Sequence, residues 1–223
     1  MQAVFDERGK MFAAFLLTLK LAGVSVIGSM ILGTILVAMR VSPVPVLRWL
    51  GTWYVNVVRN IPLTLVLLFC GLGLGSVFEV KFSGTDESVT SFWLAIIGLV
   101  AYTATFVCEV LRAGINTVPV GQSEAARSIG LTFSQNLRLI VLPQAFRAVI
   151  APLGSVLIAL TKNTTVAAAI GVIESANEMK ELINAHGDQA IAIFAGFALM
   201  FVAVTLPMGL IFSWLAKRMA VVR

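Results

Sequence analysis

Apolar residues in this chain fall into long, nearly unbroken runs and not into the alternation of half-buried strands. Five runs stand out, at roughly 12–39, 53–77, 92–115, 144–161 and 191–214. Each is near or above the ~20 residues that a helix needs to cross the hydrocarbon core of a bilayer. A closed barrel would show alternating segments of about ten residues instead, so the chain is predicted to be all-α. The fourth run is the shortest and carries Pro152, which a bundled helix tolerates because its neighbours re-satisfy the freed carbonyl. The stretch from Lys162 to Gln189 is more polar. Its residues 166–172 are apolar, and after Ser175 the residues Met179, Leu182 and Ile183 recur at helical spacing. A short dip into the bundle followed by an amphipathic surface helix is expected there. No internal repeat is visible.

Composition turns these runs into membrane spans. Hydrophobic residues make up 59% of the chain and charged residues 12%, with a mean hydropathy of +0.97. Soluble domains carry about a quarter charged residues, so the polar surface is too small for a water-exposed body. The expectation is one transmembrane domain over residues 1–223, multi-pass in the cell membrane, with no room for a soluble catalytic domain. The segment containing Asp6, Glu7 and Arg8 lacks a basic n-region and a small-residue cleavage site, so the first run reads as a span and not as a removable signal. Cys70 and Cys108 lie within apolar runs without paired spacing and read as small buried hydrophobes. His186 is alone, so no metal site is expected.

Charge then sets the orientation, since five spans place the termini on opposite sides. With the N-terminus outside, Arg40, Arg48, Arg59, Arg112, Arg127, Arg138, Arg147, Lys217, Arg218 and Arg223 fall in the cytoplasm. Arg8, Lys10, Lys20, Lys81, Lys162 and Lys180 fall outside, so ten basic residues stand against six. Of the eleven acidic residues, all but Glu109 and Glu124 lie outside. The positive-inside rule counts Lys and Arg, and it predicts the N-terminus outside and the C-terminus in the cytoplasm. The net charge of +5 follows from this asymmetry. No basic stripe is interleaved with aromatics, which argues against nucleic acid as a partner.

A polar interruption at about 117–136 then lies in the cytoplasm. Pro119 suits the entry to a helical turn, Gly121 permits a bend, residues 123–128 favour helix, and Gly130 fits the left-handed position that ends one. Thr132 and Gln135 have the spacing of a capping box that opens a second helix. The product is a short transverse helix, with Ala125 and Ala126 small enough for close approach and Glu124 available at the rim. An ordinary interfacial connector would have the same local chemistry. Three further groups carry polar chemistry. Glu109 and Arg112, at i, i+3, form either an internal ion pair or part of a gate or subunit interface. Arg59 and Pro62 either anchor the second span or line a pathway. Lys162, Asn163, Thr164 and Thr165 are either a solvated helix end or a set of donors and acceptors for the carboxylate and ammonium of an amino acid.

Glu124-Ala125-Ala126, three intervening residues, Gly130 and the closing Leu142-Pro143 resemble the EAA loop of permeases in binding-protein-dependent ABC importers. Val58-Arg59-Asn60-Ile61-Pro62-Leu63 resembles the R-G-T-P-L element of the polar amino-acid permeases, with Asn60-Ile61 in place of its small pair. Glu109-Val110-Leu111-Arg112-Ala113-Gly114 resembles their E-I-x-R-G-G element. The segments 143–147 and 160–165 resemble P-Q-A-x-R and L-x-K-[DN]-[ST]. Together these matches cover about half the chain, and Arg40-Val41-Ser42-Pro43 tilts the likeness toward actinobacterial glutamate-uptake permeases. The resemblance implies a type I importer fold. Gly121, Gln122, Glu124, Ala125, Ala126, Arg127 and Gly130 would meet a groove of the ATPase. It also implies a second permease subunit, a paralogue rather than an identical copy, together with two ATPase subunits and an extracytoplasmic amino-acid-binding protein. This chain has no G-x-x-x-x-G-K-[ST] sequence, so it is expected to be a transport subunit without cofactor, and ATP and magnesium belong to the partner ATPase. Two rivals stand beside this reading. A secondary transporter or channel working without ATP would show inverted repeats or unpaired ionisable residues at the midplane. A membrane scaffold subunit would have no pathway of its own.

Overall fold

The computed structural model describes residues 2–82 and 86–219, and among these every regular element is helical. Arg223, one of the ten basic residues counted above, lies outside the described residues. A short helix α1 (Gln2–Asp6) precedes α2 (Arg8–Val41) and α3 (Pro45–Arg59). Helix α4 (Leu63–Leu68) passes into wider π-wound turns at Phe69–Val77. Then come α5 (Glu87–Asn116), α6 (Val120–Ser128) and α7 (Phe133–Asn136). Further π turns at Leu137–Val141 lead into α8 (Leu142–Asn163), 3₁₀ turns at Thr164–Ile170, α9 (Ser175–Ala185) and α10 (Ala190–Met219).

Four helical stretches are long and apolar enough to cross a membrane: Arg8–Val41, Glu87–Asn116, Phe133–Ile170 and Gly187–Met219. A fifth span exists only if α3 and the Leu63–Val77 segment are taken together, and these meet at 103°. The expected continuous second span over 53–77 is therefore corrected. Pro62 has no N–H to donate and excludes Ile61 from the helical region, so α3 must end before it. Asn60 Nδ2 donates back to the Asn56 carbonyl at 2.6 Å, and the Pro62 carbonyl accepts from Leu65 and Val66 to start α4. The fourth run, shortest in sequence, becomes the longest stretch. Pro143 sits in its first turn, where a missing N–H costs nothing. Residues 166–172 form no separate dip, because the 3₁₀ turns continue α8 until Gly171 at φ 81° ends them.

Small side chains decide which spans touch. Thr18, Ala22, Ser25, Ser29 and Gly33 form a buried stripe of small side chains along α2. A Cβ on Gly33 would fall 2.6 Å from Val107 Cγ1 and 3.0 Å from the Ala104 carbonyl oxygen, so the α2 and α5 backbones are in near contact. In lipid, such close approach replaces the hydrophobic effect as the driving force between helices. Leu21, Leu67, Leu99 and Leu160 centre the main apolar cluster. The amphipathic helix expected after Ser175 is present as α9, where Leu182 packs with Met11, Ile193 and Phe197.

These contacts also sort the ends of the bundle. Gly51 of α3 meets Met39 and Arg40, Gly114 meets Val149 and the Ala145 carbonyl, and Gly154 meets Phe212. The C-terminal ends of α2, α5 and α10 thus share one end with the start of α8. This is the end rich in arginine. At the other end Thr18 meets Glu174 and Ser175.

Candidate functional site

At the basic end, α6 is a nine-residue helix fixed at both ends. Pro119 stands at its N-cap, so the helix opens at Val120, three residues earlier than expected, and Gly121 lies inside it and not at a bend. Its last turn closes as a Schellman motif. The Leu131 N–H reaches the Ala126 carbonyl at 3.1 Å and the Gly130 N–H reaches the Arg127 carbonyl at 3.0 Å, with Gly130 at φ 87°. The capping box follows directly: Thr132 N–H donates to Gln135 Oε1 at 2.9 Å, and Gln135 N–H to Thr132 Oγ1 at 3.3 Å. Ala126 alone in α6 is buried, against the chain's own bundle. Gly121, Gln122, Glu124, Ala125 and Arg127 are exposed. Gln122 Oε1 accepts from Gln144 Nε2 at 2.6 Å, and Gln144 also donates to the Ile140 carbonyl, which ties α6 to the root of α8. The result is a rigid, polar helix whose outer face is free.

Beside it, one carboxylate gathers three guanidinium groups. Glu109 Oε1 pairs with Arg40 Nη1 and lies 3.5 Å from Arg59 Nη1. Glu109 Oε2 accepts from Arg112 Nη2 at 3.0 Å. The expected pair of Glu109 and Arg112 is therefore part of a four-residue node joining α2, α3 and α5, and Arg59 belongs to it while Pro62 sets the break that brings α3 there. Arg40, which the sequence reading counted toward orientation and family resemblance, was not among its candidate site residues, although it is the one charge in the last turn of α2. The node carries a net charge of +2.

The Lys162–Thr165 group does not converge on one point. Thr164 is fully buried and its hydroxyl donates to the Thr161 carbonyl at 2.7 Å. The Thr165 hydroxyl donates to the Lys162 carbonyl at 2.8 Å, and Lys162 is exposed. Asn163 instead lines a cleft of about 260 Å³ between α5 and α8, with Tyr102, Thr103, Phe106 and Ser155. The cleft lies halfway along α5 and along the C-terminal half of α8. The aromatic pair Tyr102 and Phe106, with ring centroids 5.1 Å apart, forms one wall. A single-sequence reading could have found this wall only through the i, i+4 aromatic spacing inside an otherwise aliphatic run.

This arrangement has counterparts of known kind. The glutamate transport system permease protein of Corynebacterium efficiens is 54% identical over 97% of this chain and 96% of its own. That of Corynebacterium glutamicum is 52% identical over the same shares. A chain of a crystallised amino acid ABC transporter superposes with a TM-score of 0.86 at 24% identity, covering 97% of both chains. The methionine ABC transporter in an inward-facing form gives 0.68 at 16% identity, over 95% of this chain and 94% of that one. These two show the shared fold, while residues 29–221 match the model of a transport family. The chain belongs to the inner membrane components of binding-protein-dependent transport systems.

Proposed function

We propose that this chain is the permease subunit of an ATP-driven importer of a polar amino acid, glutamate by preference, working as one domain with its N-terminus outside and C-terminus in the cytoplasm. The observation that carries the reading is α6. It is exposed, opened by Pro119, closed by the Schellman turn at Gly130 and pinned to α8 through Gln122 and Gln144. A helix held so firmly passes a push to the bundle instead of deforming. Gly121, Gln122, Glu124, Ala125, Arg127 and Gly130 form the face and end that meet an ATPase subunit, with Ala126 as the fixed inner side. Two such ATPases supply ATP and magnesium chemistry, and a paralogous permease completes the pathway. An external binding protein delivers substrate. The cleft at Asn163 offers an amide, hydroxyls and an aromatic wall to the substrate amino acid, and the Arg59–Glu109–Arg112 node lies toward the exit. The glutamate preference rests on the two Corynebacterium relatives.

The test is ATP-dependent uptake of labelled glutamate by the assembled complex in proteoliposomes, with glutamine and arginine as competitors. Glu124→Arg should leave the complex inserted and its ATPase active while uptake falls at least tenfold. Uptake that persists without any ATPase partner would overturn the proposal in favour of a secondary transporter.

A further inference from the structure

Helix α3 has two exposed edges, of which the transport reading uses only Arg59 at its C-terminal end. Along one, Arg48, Thr52, Asn56 and Arg59 recur at the spacing that brings residues to one side of a helix. Beside it runs an apolar stripe of Val46, Trp49, Leu50, Trp53 and Val57, all exposed, with Trp49 at 64% and Trp53 at 54%. The buried side, Gly51 and Val55, packs against the ends of α2 and α5. The helix has no acidic residue. The 103° bend at Asn60–Pro62 turns α3 across the direction of the segment that follows. Exposed tryptophans next to a basic edge are the signature of a helix lying at the membrane–water boundary.

The charge on that edge is unbalanced. Glu109 neutralises one of the three arginines of the node that this edge joins through Arg59, which leaves +2 there, and Arg59 and Arg112 remain 43% and 41% exposed. Arg112 Nε is buried without a hydrogen-bond partner among the described residues. Arg48 is exposed, and no ion pair forms to it among the described residues. A monovalent phosphodiester matches this edge by charge and by the bidentate geometry of guanidinium groups. The continuous Trp49–Trp53 stripe adds a surface for acyl chain. We propose that α3 and the arginine node form a seat for anionic phospholipids of the cytoplasmic leaflet, one headgroup at Arg48 and one at Arg59, about 16 Å apart along the helix, with acyl chains along Trp49 and Trp53. The leaflet follows from the orientation proposed above. These lipids hold the bent α3 against α2 and α5, where the node joins three helices.

The test uses the assembled transporter purified from mixed phosphatidylglycerol and phosphatidylcholine, with retained lipids counted by native mass spectrometry during stepwise delipidation. Each basic residue near an anionic membrane surface contributes about fivefold in affinity. Arg48→Gln with Arg59→Gln should therefore reduce the preference for phosphatidylglycerol about fivefold at each of the two positions. Arg138→Gln with Lys217→Gln removes two exposed charges elsewhere on the same end and should leave that preference unchanged. Equal retention of both lipids by the unmodified complex overturns the proposal, as does an equal loss in the control pair. Displacement of the lipid by inorganic phosphate also overturns it, assigning the edge to a free anion. A crosslink in high yield from Trp49→Cys to a partner subunit would overturn it as well, because protein would then cover the stripe. None of these readings requires transport, so a failure of glutamate uptake with lipid retention intact counts against the importer reading alone. Labelling of Arg48→Cys from outside intact cells would refute the leaflet.

Discussion

Glu174 is the fully buried acid among the described residues, and its surroundings define its behaviour. Oε1 accepts the N–H groups of Ala176 and Asn177 at 2.9 and 3.2 Å, capping α9, while Oε2 meets only the Thr18 hydroxyl at 3.4 Å. Burial pushes its pKa above the usual carboxylate value, against the pull of these hydrogen bonds. A carboxyl whose folded pKa is raised binds its proton more tightly in the folded state. Its contribution is thus most favourable at acid pH and declines as pH rises through the folded pKa. Glu174→Gln keeps an oxygen for the cap and removes the charge. It should raise the melting temperature at pH 8 by roughly 2–4 °C, about 1 kcal/mol for a chain of this size, and change it little at pH 4. A melting curve that moves equally at both pH values would show that burial of charge is not the cause. Asn163 and Thr164 separate in the same way. Asn163→Leu should raise the KM for the amino acid about tenfold, the worth of one buried hydrogen bond, with basal ATPase activity unchanged. Thr164→Val only releases the Thr161 carbonyl, so it should lower thermal stability and leave KM alone. A KM that follows Thr164 instead would move the substrate to the other side of α8.

At the scale of elements, what was readable depended on whether a local rule had competition. The end of α6 was legible because Gly130 at φ 87° satisfies a requirement that few residues meet. The Thr132–Gln135 box was legible for the same reason. Gly130→Val should therefore cost about 1–2 kcal/mol of local stability, loosen the last turn of α6 and lower the glutamate carried per ATP hydrolysed. A ratio unchanged from the unmodified complex would show that the outer turn of α6 takes no part in coupling. The bend between α3 and α4 was hidden in the sequence. Apolar residues continue on both sides of Pro62, and a proline inside a bundled span is often tolerated. What decides is Pro62 together with Asn60, whose side chain takes up the Asn56 carbonyl two residues before the proline, and the arginine edge of α3, which meets Glu109. The cleft at Asn163 was half legible. The amide stood out by polarity, whereas Tyr102 and Phe106 come from a helix sixty residues away and meet it only through packing of α5 on α8. Arg40 belongs to the same class, since its partner is sixty-nine positions distant.

Across the whole molecule, polarity is divided between two ends that the chain visits alternately. The basic end gathers Arg40, Arg59 and Arg112 on Glu109, carries α6, and receives the last turn of α10 with Lys217 and Arg218. The opposite end holds Asp86 as the cap of α5, Glu174 as the cap of α9, and Glu178 in the first turn of α9. Moving an arginine through the hydrocarbon core costs about 3 kcal/mol on the insertion scale, so a chain inverted in the membrane would have to carry most of its cations across. Glu124→Cys and Glu178→Cys report the two ends directly, because Cys70 and Cys108 are both buried and should stay silent. A membrane-impermeant maleimide applied to intact cells should label the position 178 cysteine at once and the position 124 cysteine only after permeabilisation. The reverse pattern would place α6 outside, away from any ATPase, and the importer reading would fail together with the leaflet assigned to the lipid seat.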